Sequence, residues 1–119
     1  MAKELTINLT LGFNKSNIST TMVSGTQQFT VSGTDYVRET MSVPTSVTAL
    51  PLGGVATPGY CMITNKDVTN YVDVYDSVSG NACIRLLPGE WAMFRFAGTA
   101  PAVKAHTAAV KIDFLLIAA

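Results

Sequence analysis

The chain is 119 residues long and carries eight acidic and eight basic residues, so its formal net charge is zero. Charged residues make up 13%, about half the share usual in soluble domains. That balance excludes the basic footprint of a nucleic-acid binder and the high charge of a disordered chain, and on a 48% apolar chain it favours self-association.

Leu5, Ile7, Leu9 and Leu11 alternate with Thr6, Asn8 and Thr10. A period of two predicts a half-buried strand with the aliphatic side chains inward. Gly12 to Asn17 reads as a turn, Ile18 to Val23 as a weaker strand, Ser24-Gly25 as a second turn, and Thr26 to Val31 as another strand closed by Ser32-Gly33-Thr34-Asp35. Tyr36 to Val43 alternates again, with Val37, Met41 and Val43 on one parity and Glu39 breaking it; Glu39 is expected near a strand end or a subunit contact. Pro44 stops ladder pairing, Ser46 to Leu50 is a short strand, and Pro51 to Gly59 is an uncharged Gly/Pro loop that crosses between two sheets.

The best-specified block follows. Tyr60 to Asn65 and Asn70 to Asp76 are strands joined by Lys66-Asp67-Val68-Thr69, and they are expected to pair with each other. Val72 and Val74 face inward; Tyr71, Asp73 and Tyr75 face outward. Ala82 to Leu87 and Trp91 to Phe96 are expected as the next antiparallel pair across Leu87-Pro88-Gly89-Glu90, which has the proline and glycine of a type II turn. Trp91 to Phe96 has large side chains on both parities, which predicts a central or covered strand. After the loop Ala97 to Pro101, Ala102 to Thr107 is a strand of small residues, and Val110, Ile112, Phe114 and Leu116 mark a final strand. Eight to ten short strands with no sustained helical period predict an all-β fold, an antiparallel, jelly-roll-like β-sandwich in a single domain spanning 1–119.

Candidate chemistry is sparse. His106 is the single histidine, and its sequence neighbours supply neither a nucleophile nor an orienting carboxylate, so it reads as a surface or structural residue. Asp67, Asp73 and Asp76 read as solvated turn acids, with a calcium site the alternative. Trp91 with Tyr71 and Tyr75 form a possible sugar-stacking platform, set against plain packing or partner contact. Asn65 and Asn70 are expected to bond the backbone of their turn. Gly53-Gly54 lacks the Lys-Ser/Thr and helix start of a phosphate loop. No catalytic, cofactor-binding or metal-binding residue is assigned, and an enzyme is not expected.

No apolar run approaches the ~20 residues of a membrane span. The opening Met-Ala-Lys-Glu-Leu lacks the apolar stretch of a leader peptide. Cys61 and Cys83, both in predicted strands, are therefore expected as buried reduced thiols, with an inter-strand disulfide and, behind it, metal ligation the alternatives. The glycosylation-type triplets at Asn8 and Asn17 are read as chance matches.

Gly59-Tyr60, Ile63-Thr64-Asn65-Lys66-Asp67-Val68-Thr69-Asn70-Tyr71-Val72-Asp73-Val74 and Leu87-Pro88-Gly89-Glu90-Trp91 to Phe96 together resemble small structural proteins of tailed bacteriophages. The Ala-rich stretch Ala102 to Ala109 before an apolar last strand fits the same pattern. The resemblance spans about half the chain; Trp91 and the two cysteines depart from it. It implies a non-enzymatic virion component, foremost a capsid decoration or cement protein made in the host cytoplasm. The implied partners are other copies of itself, a trimer being one such state, and the major capsid protein or other virion subunits. Neither nucleic acid nor membrane is implied. A neck or tail protein, or a carbohydrate-binding sandwich for host attachment, are the alternatives.

Overall fold

The computed structural model describes residues 3–97 and 100–119, and among these there are ten strands and no helix. In chain order they are β1 (Leu5–Lys15), β2 (Ile18–Phe29), β3 (Tyr36–Val43), β4 (Thr48–Ala49), β5 (Pro58–Asn65), β6 (Val72–Tyr75), β7 (Ala82–Leu86), β8 (Trp91–Arg95), β9 (Ala102–Ala105) and β10 (Val110–Ala118). Two compact units hold them: one ends at Ser32, the other is Gly33–Ala119.

The first unit is a two-stranded ribbon, β1 against β2. Its turn is not Gly12 to Asn17, as the sequence reading has it, but the two residues Ser16 and Asn17 between the paired Lys15 and Ile18. Ser16 takes φ +56°, the left-handed backbone that twisted two-residue hairpins require. Gly12 sits in mid-strand, where an added Cβ would come no nearer than 3.9 Å to the Thr21 hydroxyl. Ser24-Gly25 is likewise a bulge inside β2 and not a turn between two strands: Leu9 pairs with Gly25, Thr10 pairs with Val23, and Ser24 is the extra residue. The Ser24 hydroxyl replaces the lost ladder bond by accepting from Leu9 N at 2.9 Å, and Gln27 Nε2 donates to the Ser24 carbonyl at 3.0 Å. Because a bulge shifts the side-chain parity by one, it moves Met22 and Ile18 onto the same face as Leu9, Leu11 and Phe13.

The second unit has two four-stranded sheets, ordered β3-β10-β5-β8 and β4-β9-β6-β7. All pairings are antiparallel, and four of them nest: β3 with β10, β4 with β9, β5 with β8, β6 with β7. The inner faces share one core. From the first sheet come Val43, Cys61, Ile63, Val110, Ile112, Phe114 and Leu116; from the second come Val72, Val74, Leu86, Val103 and Ala105. Each side chain of Leu, Ile, Val or Phe size contributes roughly 1.5–3 kcal/mol by leaving water. The fold is therefore all-β, antiparallel and sandwich-like, with the last strand's inward parity buried as the alternation predicts.

Several local expectations hold. The 51–57 segment crosses from one sheet to the other, although β5 already begins at Pro58. Glu90 N donates to the Leu87 carbonyl at 2.9 Å and Gly89 takes φ +82°, the type II geometry that only glycine adopts without strain.

Strand pairing in the central block differs from the expectation. β5 does not pair with β6, nor β7 with β8; each of these neighbours lies in the opposite sheet, and β6 pairs with β7 across the 76–81 loop. The two presumed hairpin turns are corners between sheets, and Asn65 holds them. Its side chain is fully buried. Nδ2 donates to the carbonyls of Asn70 and Leu86, both at 3.0 Å, and Oδ1 accepts from Asp67 N at 2.8 Å. Its backbone N donates to the Glu90 carbonyl, and its carbonyl accepts from Gly89 N. One side chain thus ties the end of β5, the 66–71 corner and the end of β7 together. A strand that leaves for the opposite sheet keeps its inward parity, so alternation alone does not separate a corner from a hairpin.

The central-strand reading of β8 and the strand-end reading of Glu39 are corrected. β8 is an edge strand, not a central one; its outward Trp91 and Arg95 are exposed. Glu39 lies in the middle of β3, opposite Phe114, and is exposed because β3 is the other edge of that sheet. A charge on the inward parity of an edge strand keeps contact with water and discourages pairing with further strands.

Candidate functional site

The outer face of the β4-β9-β6-β7 sheet gathers the most polar chemistry. Antiparallel pairing sets Asp73 between Lys104 of β9 and Arg85 of β7, and His106 N donates to the Tyr71 carbonyl one step further along. The Tyr71 and His106 rings stack at 4.4 Å and 9°. The Arg85 guanidinium lies 4.0 Å from the centre of the Tyr71 ring. His106 comes from the β9 side and Arg85 from the β7 side, so both faces of Tyr71 are occupied. Arg85 also grips both Asp73 oxygens, Nε at 2.8 Å and Nη2 at 3.1 Å. The carboxylate raises the guanidinium's pKa above its ordinary value, chiefly through that hydrogen bond. These groups line an open depression of about 220 Å³ with Tyr75 and Ala105. Asp73 and Arg85 satisfy one another, and among the described residues no carboxylate or nucleophile is hydrogen-bonded to the His106 ring.

The remaining sequence candidates are dispersed. Trp91 belongs to β8 in the other sheet, so it does not share a platform with Tyr71 and Tyr75. The three acids serve separate local roles. Asp67 Oδ2 accepts from Thr69 N at 2.9 Å and Asn70 N at 2.6 Å, and these bonds, Asn70's first, lower its pKa. Asp73 pairs with Arg85, and Asp76 Oδ1 accepts from Asn81 N at 2.9 Å. Among the described residues no three His, Cys, Asp or Glu side chains come together to hold a metal. Gly54 lies against the Asp35 carboxylate, 3.4 Å from where a Cβ would stand, which would repel a phosphate. Asn65 bonds its turn as expected, whereas Asn70 contributes its backbone to that network.

Both cysteines are free. Cys61 is buried in β5, and burial pushes its thiol up to about 12. Cys83 is exposed, against the expectation of burial. It is the extra residue of a bulge in β7, between the Val74–Ile84 and Tyr75–Ala82 pairs, and its Sγ contacts the Val74 carbonyl at 3.5 Å.

Two apolar surfaces complete the inventory. The bulge-corrected face of the ribbon shows Leu11, Met22, Ile18 and Phe13 at 72%, 78%, 63% and 50% exposure. The outer face of the β3-β10-β5-β8 sheet shows Tyr36, Trp91 and Met62 at 68%, 53% and 40%, with Leu115 and Met93 flanking Met62 in register. The sequence reading passes over Phe13, Ile18 and Met22 because it ends the strand at Leu11 and breaks the next at Ser24. The alternation running on through Phe13 is the signal that locates the ribbon's true tip.

Compared with known protein families, characterised proteins and solved structures, the chain matches none.

Proposed function

We propose that this protein is a non-enzymatic structural subunit of a tailed-bacteriophage virion, a capsid decoration or cement protein that stabilises the shell through its interfaces. The observation that carries the reading is the exposed apolar ribbon face on a chain with 13% charged residues. Interface cores are depleted in charge and rich in such side chains, and monomeric proteins rarely leave them uncovered. The phage resemblance of the 59–96 block supplies the setting. Mechanically, each copy would cover apolar surface between shell subunits, and the small stabilisation per copy would sum over many copies.

The finer fold reading belongs with this proposal. Four nested antiparallel pairs, closed into sheets of order β3-β10-β5-β8 and β4-β9-β6-β7, support a jelly roll, a long folded ribbon of eight strands wound into two layers. Jelly rolls recur in viral capsid proteins and in lectins, a fold-level analogy that raises both readings and decides neither. Against sugar binding, Tyr71 has no free ring face, and Trp91 stands in another sheet.

The test is biochemical. Purified particles should contain the chain in a copy number matched to shell positions, and particles stripped of it should release their genome at lower temperature, with re-addition restoring the midpoint. Absence from purified particles would sink the reading. Localisation at the neck or tail by electron microscopy would replace the shell with that site, and saturable glycan-array binding lost in Trp91→Ala would favour host attachment.

A further inference from the structure

We propose that the free edge of β8 pairs with itself: two copies of this chain join antiparallel along Trp91–Arg95, with Met93 on the two-fold axis. The surface lies within the second unit, apart from the ribbon face, and the inference does not depend on the virion setting.

That unit has four sheet edges, β3, β8, β4 and β7. Three of them carry the devices by which sheets resist further pairing, namely short length, a bulge or an inward charge. β4 has two residues. β7 is bent by the bulge at Cys83. β3 holds Glu39 in mid-strand, opposite Phe114. β8 has none of these. It keeps an unbroken register with β5, contains no proline, and bears one charge, Arg95, at its end. Its inward Ala92 and Phe94 pack against the core yet are only half-buried, whereas Ile112 and Phe114 of the flanked strand β10 are buried.

The backbone fixes what this edge offers. Asn65 N donates to the Glu90 carbonyl at 2.8 Å, and Phe96 N donates to the Gly59 carbonyl at 2.9 Å. Bonded positions alternate along an antiparallel strand. The even-numbered residues therefore turn their N–H and C=O toward β5, and Trp91, Met93 and Arg95 turn theirs to the open side. A second β8 can meet those groups only in registers that match odd positions with odd. The register that uses the whole strand sets Met93 opposite Met93, and Trp91 opposite Arg95 of the second copy. Each matched pair exchanges two hydrogen bonds.

The side chains select the same register. The Arg95 guanidinium already lies 5.6 Å from the centre of the Tyr60 ring. Across the seam it gains the second copy's Trp91 on its other side, at the ~5 Å Cβ spacing of directly opposed residues, and a cation beside an indole ring is a favourable contact. Met62 and Met93, opposed within one copy, continue into their mates as one row of thioethers. On the inward face Phe94 meets the second copy's Ala92, large against small. A slip of two positions in either direction sets Met93 against Trp91 or Arg95, loses the cation contact and leaves one strand end unmatched. The two-fold pairing merges two β3-β10-β5-β8 sheets into one of twice the width, an isologous contact. The seam is five residues long, roughly 17 Å, so the pair forms reversibly, at the weak end of specific interfaces.

The experiment is sedimentation velocity of the full chain over roughly 1 to 500 µM. Wild type should pass from monomer to dimer. The emission of Trp91, the single tryptophan and 53% exposed, should shift to the blue over the same range. Met93→Pro removes an outward N–H that the ladder with β5 does not use, a site where edge strands accept proline. A cooperative melt should persist while dimerisation weakens roughly tenfold or more. Trp91→Lys sets like charges across the seam at both ends and should weaken it similarly. Adding Arg95→Glu to that variant should restore the dimer, because the new lysine then faces the second copy's new glutamate. Within one copy those positions stand roughly 14 Å apart along the strand, so the restoration reports the seam alone, and it decides the matter even if the proline variant does not fold. A wild type that stays monomeric, a dimer indifferent to a folded Met93→Pro, or a double variant no better than Trp91→Lys would each overturn the proposal. Presence of the chain in purified particles tests the virion reading separately: a self-pairing chain absent from particles ends that reading and keeps this one, and a monomer found on the shell does the reverse.

Discussion

β1 and β10 have the same written pattern and opposite fates. Leu5, Ile7, Leu9, Leu11 and Phe13 keep to every second position as regularly as Val110, Ile112, Phe114 and Leu116 do. On β10 the four inward residues are 0–2% exposed, because β3 and β5 flank the strand and a second sheet lies across from it. On β1 exposure is 9% at Ile7, 37% at Leu9 and 72% at Leu11, since β2 is its only paired strand. Alternation specifies which side chains share a face. It says nothing about what covers that face.

The sharpest way to break the comparison is to tax both regions equally. Val72→Asp puts an unpaired charge into the sandwich core and should cost roughly 3 kcal/mol or more, enough to abolish soluble folding. Leu116→Ala should cost about 2–5 kcal/mol through lost burial and the cavity left behind. Leu11→Ala, the same chemical change on the ribbon, should stay within about 0.5 kcal/mol. Chemical denaturation at low protein concentration measures all three. Similar losses at Leu116 and Leu11 would mean that the ribbon face is already covered within one chain.

The contrast also explains what the sequence could disclose. Strand positions and inward parity were legible for β3, β5, β6 and β10, because inward residues repeat every second position whichever sheet the strand joins. The Leu87–Glu90 turn was legible because proline and glycine each impose a backbone angle. Partner assignment was not: the links 66–71 and 87–90 look like hairpin turns, and only the burial of Asn65 reveals corners. The ribbon's extent was hidden by Gly12 and Ser24-Gly25, residues whose usual meaning is a turn but which here lie in a strand and a bulge. The polar patch of Tyr71, Arg85 and His106 was unreadable in advance, since it joins β7, β9 and the approach to β6 across 35 residues of chain.

Asn65 offers the next largest effect, and it tests the corners rather than the core volume. Asn65→Ala removes the donors to the Asn70 and Leu86 carbonyls and the acceptor for Asp67 N, all in a buried setting. The expected loss is about 1–3 kcal/mol, the cost of leaving such groups unsatisfied. Asn65→Asp keeps the acceptor but sets a carboxylate against two carbonyls, so it should be worse than alanine. If Asp proved no worse than alanine, the corners would not depend on the two bonds that Nδ2 donates.

The thiols sharpen the comparison of inside and outside. Cys83 should react with an aromatic disulfide reagent in the native protein, and Cys61 only after unfolding, giving one thiol and then two. Burial raises the Cys61 thiol from 9.0 to about 12, so the unfolded chain releases this proton first. Stability should therefore fall between pH 9 and 12, and Cys61→Ala, whatever its packing cost, should show a flatter alkaline limb. Two thiols reacting at equal rates in native protein would contradict the placement of Cys61.

The smallest effect separates the two units by acid. β1 and β2 contain no carboxylate side chain between Leu5 and Phe29, while the corner of the second unit depends on one. Backbone donors at Asn70 and Thr69 hold the Asp67 pKa below its ordinary 3.8. A depressed carboxyl stabilises the fold above its unfolded pKa, and that contribution fades as pH falls through the folded value. Asp67→Asn should therefore melt lower than wild type at neutral pH, and the two should converge only as pH falls below 3.8 and through the lowered folded-state value, where the native Asp67 side chain too becomes uncharged. Parallel melting curves down to about pH 2 would show that the corner is held by Asn65 and not by Asp67.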